Sequence, residues 1–275
     1  MKKRILTCAL AIFFLLCALT SCVPHRRDVL FVTVLDVGQG DSVLVSLGEH
    51  HLLIDTGSAA SRDLLLGELD RLGVEALDAI LITHPHEDHY GNVRMLLETR
   101  PVGALFVSKT ESDEFGYLLL LEIAATRGVE VRSLGDGESF LHNGVVCEVF
   151  CPIPDAPEPN DAGLVVRARY GECKLLFMGD AEQAAEQALL ARSVSWKCDF
   201  LKVGHHGSTS SSSRAFLQAA APQIAAISCA MDNDYGFPHG EVLEGLADVG
   251  AAIYRTDEQG TLRFMCDGTG ITYEK

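Results

Sequence analysis

His84, His86, Asp88 and His89 stand within six residues of one another, in the stretch Leu81-Ile82-Thr83-His84-Pro85-His86-Glu87-Asp88-His89-Tyr90-Gly91-Asn92. All four side chains are competent metal ligands, and packing alone does not explain so many in one loop. The apolar run Ala79-Ile80-Leu81-Ile82 reads as a buried strand, so the histidines follow a strand end. Alternate residues of an extended segment share a face, which lets His84 and His86 address one ion. A tight turn then directs Asp88 and His89 at a second ion about 3.5–4 Å away, the separation found in two-metal hydrolytic sites. Imidazole with carboxylate suits zinc, and manganese or iron as well. Two later strand ends carry related chemistry. Gly179-Asp180 offers a carboxylate placed to bridge two ions, and Gly204-His205-His206-Gly207-Ser208 offers two more imidazoles.

Such groups need strands that end side by side. Apolar patterning predicts strands over 29–36, 43–47, 51–55, 79–82, 104–108 and 129–132. Leu65, Leu69 and Leu72 line one face of a helix over 61–72, with Ser61 as cap and Gly73 as stop; another helix over 115–127 stops at Gly128. A helix over 91–98 follows the histidine loop, and its N-terminus would face the site and favour negative charge there. The second half continues in the same manner. Strand 145–151 leads to a proline-rich loop ending in Asn160-Asp161, a hairpin of 164–168 with 174–178, and helix 181–191. Strand 200–203, a serine run read as loop and cap, helix 214–220, strand 224–228, a last helix from 241 to 246, and strands 251–254, 262–265 and 271–273 complete it. This order is α/β, without a linker after residue 28. Asp55 ends a strand, where it serves either as a turn residue or as the acceptor for a ligand histidine. In Asp36-Val37-Gly38-Gln39-Gly40-Asp41-Ser42, turn conformation accounts for Gly38 and Gly40 but not for Gln39 or Asp41.

The first residues read as an address. Lys2-Lys3-Arg4 precedes an apolar run over 5–19 that is too short to span a bilayer comfortably, and Leu19-Thr20-Ser21-Cys22 resembles a bacterial lipobox. The expected organisation is a lipoprotein signal peptide over 1–21, a tether over 22–28 and one domain over 29–275. Cys22 would carry the lipid and anchor the protein to the extracytoplasmic face of the cell membrane; an ordinary secretory signal is the alternative. Of nine cysteines, Cys147, Cys151, Cys173, Cys198, Cys229 and Cys266 would remain in the domain, as buried thiols or as disulfides. The formal charge of −16 falls to −19 if a leader holding Lys2, Lys3 and Arg4 and no acid is removed. Such a surface works against extensive nucleic-acid binding but permits an anionic substrate at a site holding two cations. Lys197, Lys202 and Arg214 are the cations near the His205-His206 loop.

The stretches DVGQGDS, LITHPHEDHYGN, NDAGLVVR, MGD, LKVGHHGSTSSS, YGFPH and YRTDEQGT, in that order over about residues 30–268, resemble one branch of the metallo-β-lactamase superfamily. That branch includes the hydrolase domain of ComEC-type DNA-uptake proteins and stand-alone secreted relatives. The resemblance implies a single-domain, four-layer αββα sandwich with the site along one edge of two sheets. It implies His84 and His86 as ligands of a first metal, Asp88 and His89 as ligands of a second, and Asp180 as the bridge. His205 is the expected last histidine ligand because it comes first after the strand, with His206 behind it or touching substrate. Two departures stand out. The third histidine of the first metal has no counterpart, since His142 comes too early, which leaves an oxygen ligand such as that of Asn160. Phe237 stands where the branch usually shows histidine, with His239 nearby.

The expected activity is metal-dependent hydrolysis of a phosphodiester. Two divalent ions, zinc or manganese, would lower the pKa of a bridging water towards about 7, giving hydroxide at neutral pH. Asp88 or Asp180 would orient that nucleophile, and His206, Ser208 and backbone amides would stabilise developing charge. The expected substrate is a small anionic molecule or single-stranded nucleic acid, and no protein partner is evident in the sequence. Hydrolysis of a lactone, a β-lactam or a cell-envelope ester is the alternative chemistry, and a non-catalytic surface binding module is the alternative class.

Overall fold

The computed structural model describes residues 28–275. The leader, Cys22 and all but the last residue of the expected tether lie outside the described residues. Two sheets form the centre. One runs, edge to edge, Ile271–Glu274, Leu262–Cys266, Leu30–Val34, Val43–Leu47, His50–Ile54, Leu77–Leu81, Val102–Ser108 and Glu130–Leu134. The other runs Ala252–Arg255, Ile224–Ile227, Phe200–Lys202, Cys173–Phe177, Val165–Tyr170, Val145–Phe150 and Ser139–His142.

Three apolar cores hold the layers together. Between the sheets, Val32, Val45, Leu52, Leu81, Val149, Val166, Leu175, Phe177, Phe200 and Phe264 face one another. Helices Arg62–Arg71, Val93–Thr99 and Phe115–Thr126 cover the outer face of the first sheet through Leu65, Leu69, Leu96 and Leu120. Helices Gln183–Leu190, Arg214–Ala220 and Gly240–Asp248 cover the second through Leu189, Phe216, Leu217 and Leu246. Each such side chain, fully buried, is worth about 1.5–3 kcal/mol. The architecture is therefore the expected four-layer αββα sandwich, in one domain.

In both sheets the strands next to the site are parallel. His50–Ile54, Leu77–Leu81 and Val102–Ser108 run together in one, and Cys173–Phe177, Phe200–Lys202 and Ile224–Ile227 in the other. Their carboxyl ends open on the same edge, where open α/β sheets place ligands.

Several local expectations needed correction. Strand Ser139–His142 was not foreseen, because two apolar positions in four residues carry little periodicity, and it places His142 in a sheet rather than in a turn. The helix after the histidine loop is two pieces, Glu87–Tyr90 and Val93–Thr99, so Asp88 and His89 sit on a helical turn of their own. Gly240–Asp248 is not the last helix, since Thr256–Gln259 makes one more turn. Ser61 does not cap its helix; its hydroxyl donates to the Ser58 carbonyl instead. All six cysteines of the domain are free and buried.

Candidate metal centre

Four chain segments converge on the shared edge. The strand Leu77–Leu81 ends at Leu81, and the chain bends through Thr83, His84 and Pro85 before His86 leads into the short helix that carries Asp88 and His89. Cys173–Phe177 delivers Asp180. Phe200–Lys202 delivers His205 and His206 in a turn where both adopt left-handed backbone conformations, φ 47° and 54°. Consecutive left-handed residues are costly for side chains other than glycine, and such strain persists where surrounding contacts enforce it. The fourth segment is the glycine turn before Val43–Leu47. A Cβ on Gly40 would lie 2.5 Å from the Asp88 carbonyl oxygen, so glycine is what lets this turn rest on the histidine loop.

The buried donors face one another across short gaps. His84 Nε2 lies 3.0 Å from His86 Nδ1 and 4.0 Å from Asp180 Oδ2. The same Asp180 Oδ2 lies 3.3 Å from His89 Nε2 and 3.6 Å from His206 Nε2. Asp88 Oδ2 lies 3.5 Å from His206 Nε2 and 3.9 Å from His89 Nε2. Asp88, His89, Asp180 and His206 together offer ligand atoms close enough for one ion. Asp180 Oδ2 is near both that set and His84, whose ring lies 4.1 Å from that of His89.

The histidine pair after Phe200–Lys202 has the reverse of the expected order. His206 is buried and belongs to the donor set. His205 is partly exposed at the margin, its Nδ1 3.2 Å from Glu182 Oε1 and its Nε2 3.8 Å from Asp180 Oδ2. The left-handed turn is the cause, since it swings the first side chain outward and the second inward.

A second ring of residues fixes the imidazoles. His89 Nδ1 donates to Asp55 Oδ2 at 2.8 Å, and Asp55 is in turn held by the Thr83 amide and hydroxyl, each at 2.8 Å. Asp55 thus takes the acceptor role rather than that of a turn residue. His206 Nδ1 donates to the Ser228 carbonyl at 3.0 Å, which leaves Nε2 as the ring nitrogen aimed at Asp88 and Asp180. Asp41 Oδ1 lies 3.4 Å from the same Nδ1 and is paired with Lys202. Thr83, Ser228, Glu182 and the Asp41–Lys202 pair were not foreseen as parts of the site; only the surplus carboxylate in the glycine turn signalled any of them.

Other expectations fall away from the centre or stay at its edge. Ser208 is buried, and its hydroxyl is engaged by Ser210. Lys202 is sealed in a buried ion pair with Asp41, Arg214 forms an exposed surface pair with Asp248, and Lys197 is exposed. His239 Nδ1 accepts from the Thr209 amide at 2.9 Å and holds the serine loop. His142 lies near His50 and Asp78, away from the donor set. Asn160 donates to Glu182 at 3.2 Å while its Oδ1 is buried without a partner, and a Cβ on Gly163 would sit 3.1 Å from the Asn160 carbonyl and 3.2 Å from His84 Cβ.

The electrostatics call for cations. Burial and the neighbouring His89 hold His84 well below the ordinary histidine value, so it is neutral and free to ligate. Burial opposes charge on His206 too, but Asp180 and Asp41 outweigh it and push the ring up to about 10. For Asp180, burial is overcome by His89 and His206, which hold the carboxyl well below its usual range. His89 Nε2, His206 Nε2 and Asp180 Oδ1 are buried without hydrogen-bond partners. Buried polar atoms are nearly always satisfied, so three orphans facing one space, on ligand-type atoms, fit divalent ions.

Comparison with known proteins agrees with this geometry. Residues 35–230 match the family model described as the Metallo-beta-lactamase superfamily. ComE operon protein 3 of Bacillus subtilis is 32% identical over 252 residues, 85% of this chain and 32% of the relative. Competence protein ComA of Neisseria gonorrhoeae is 31% identical over 89% of this chain and 33% of its own length. The chain thus spans about a third of these curated relatives. Ribonuclease J of Mycobacterium tuberculosis is 28% identical over 53% of this chain and 26% of the relative. Among solved structures, the metallo-beta-lactamase fold protein YhfI from Bacillus subtilis superposes with a TM-score of 0.62 at 15% identity, over 87% of this chain and 100% of that one. Family match, relatives of the ComEC competence type and a buried Asp/His donor set at the sheet edge agree, and the chain belongs to the metallo-β-lactamase superfamily.

Proposed function

We propose that this protein is a two-metal phosphodiesterase acting on small or single-stranded substrates at the extracytoplasmic face of the membrane, anchored through Cys22. The observation that carries the reading is the orphaned trio His89 Nε2, His206 Nε2 and Asp180 Oδ1. His84, His86 and Asp180 would hold one ion, with the Asn160 amide oxygen as a further ligand. Asp88, His89, His206 and Asp180 would hold the other. His206 therefore replaces His205 in the ligand set. When bound, divalent ions would activate a water and polarise the scissile bond.

The chain's own residues supply the rest. Asp55 and the Ser228 carbonyl engage Nδ1 of His89 and His206, so that Nε2 of each would be the atom that holds an ion. Asp88 is the most exposed carboxylate of the set, its side chain 34% accessible, and is placed to orient the attacking water. His205, held at Nδ1 by Glu182, is placed to protonate the leaving oxygen from the open margin. A phosphodiester is favoured over a lactone or β-lactam by the likeness to a protein named a ribonuclease. With Lys202 buried against Asp41, the cations expected near the His205-His206 loop reduce, among the described residues, to the exposed Lys197 and Arg214, too few for the many phosphate contacts of duplex binding. The test is a panel of bis-p-nitrophenyl phosphate, single- and double-stranded DNA, a homoserine lactone and a cephalosporin, each with zinc and with manganese. Turnover of the lactone or cephalosporin alone would overturn the substrate class and leave the metal centre standing.

A further inference from the structure

The loop between Ile224–Ile227 and Gly240–Asp248 sets an aromatic pair beside the metal centre. The rings of Tyr235 and Phe237 are 5.2 Å apart and 14° from parallel. Phe237 in turn stacks on His206 at 6.2 Å and 29°, and meets His205 edge-on at 5.7 Å. Three rings thus form a short stack that begins at a metal-ligating histidine and ends at Tyr235, which is 64% exposed. The exposed ring lies two ring spacings from the proposed reacting centre.

The pair is held rigidly. The Asn233 side chain accepts from the Tyr235 and Phe237 amides and donates to the Ala230 and Phe237 carbonyls at 2.7–3.2 Å. The His239 amide donates to the Gly207 carbonyl at 2.9 Å. A Cβ on Gly207 would lie 2.5 Å from Pro238 Cβ, so glycine lets this loop seat directly on the His205-His206 turn. Any shift of the ring pair would move with that turn.

We propose that Tyr235 and Phe237 form a stacking platform for a nucleobase flanking the scissile phosphodiester, an inference that rests on the phosphodiesterase reading above. Near-parallel rings present a single flat outer face. That shape suits a planar base, whereas an organic ammonium group is best held where several ring faces converge around it. The neighbouring Asp232 and Asp234 are exposed carboxylates, which disfavour a further phosphate and favour exocyclic amino groups of a base. The platform therefore selects a short nucleotide substrate through its ring. Phe237 joins the exposed tyrosine to His206 of the metal centre.

The experiment is equilibrium binding, by calorimetry with zinc-loaded protein, of 2′-deoxyadenosine 5′-monophosphate, whose base carries an exocyclic amino group, and of 2-deoxyribose 5-phosphate, which lacks the base. Neither contains a diester bond, so the outcome is independent of turnover. Wild type should bind the nucleotide roughly 5- to 100-fold more tightly. Tyr235→Ala should abolish that preference without weakening the sugar phosphate, and Tyr235→Phe should keep it. Equal or unmeasurable binding of the two by wild type, or a preference that survives Tyr235→Ala, overturns the platform. Failure of the phosphodiesterase reading would show separately, as absence of Asp180-dependent diester hydrolysis.

Discussion

Lys202 Nζ lies 2.7 Å from Asp41 Oδ1 in an ion pair that joins the two sheets across 161 residues of chain, with both side chains almost wholly buried. The same Asp41 oxygen lies 3.4 Å from His206 Nδ1. The pair is therefore both a strut between layers and a charge set behind a proposed metal ligand. Removing one partner of a buried pair leaves an uncompensated charge, at a cost of about 3–5 kcal/mol. Lys202→Met should lower stability to denaturant by that order. It should also weaken metal affinity by about 10- to 100-fold, as loss of such supporting contacts does. Denaturant midpoints and a competitive chelator titration read the two effects; a variant matching wild type in both would show that the pair supports neither.

The two adjacent histidines should separate cleanly. His206→Ala should lose at least one bound ion by elemental analysis. His205→Ala should keep full metal content while kcat falls about 10²- to 10⁴-fold, the range for loss of a general acid. The reverse pattern of metal loss would restore the order expected from sequence.

Much of this centre was legible because it is local. His84, His86, Asp88 and His89 follow one strand end, and Asp180 follows another, so strand patterning and residue type sufficed. The order of His205 and His206 was not legible, because it depends on left-handed backbone at both residues, which side chains other than glycine seldom adopt. Nor was the role of Lys202, which reads as a solvent-facing cation until the first sheet brings Asp41 to it. The strand Ser139–His142 and the turn Thr256–Gln259 escaped because four residues hold too few apolar positions to show a period.

Glu186 makes a pH dependence visible outside the metal centre. Burial raises its carboxyl to about 7, against the opposing pull of the Ser212 and Ser213 amides it accepts from at 2.5 and 2.9 Å. A folded pKa above the unfolded one means that its contribution is present below about 4.5 and lost as pH rises through about 7. The stability of wild type relative to Glu186→Gln should therefore fall between pH 5 and 7.5, by roughly 1–3 kcal/mol. Denaturant unfolding at several pH values checks this; a difference constant across the range would show that Glu186 titrates normally.

The proposed anchor has its own test. Cells expressing the full chain should incorporate labelled fatty acid into it, and Cys22→Ala should abolish the label and shift the protein out of the membrane fraction. An unlabelled wild type with a membrane-bound variant would contradict lipidation at Cys22.

The most direct test of the two-metal phosphodiesterase is the turnover of bis-p-nitrophenyl phosphate by wild type and Asp180→Ala, side by side, with zinc or manganese added. Asp180 Oδ2 is near both proposed ligand sets, 4.0 Å from His84 Nε2 and 3.3 Å from His89 Nε2. Wild type should hydrolyse the diester in a metal-dependent manner, and Asp180→Ala should lose nearly all of that activity. Equal turnover by the two proteins, or none by wild type with either metal, would contradict the assignment.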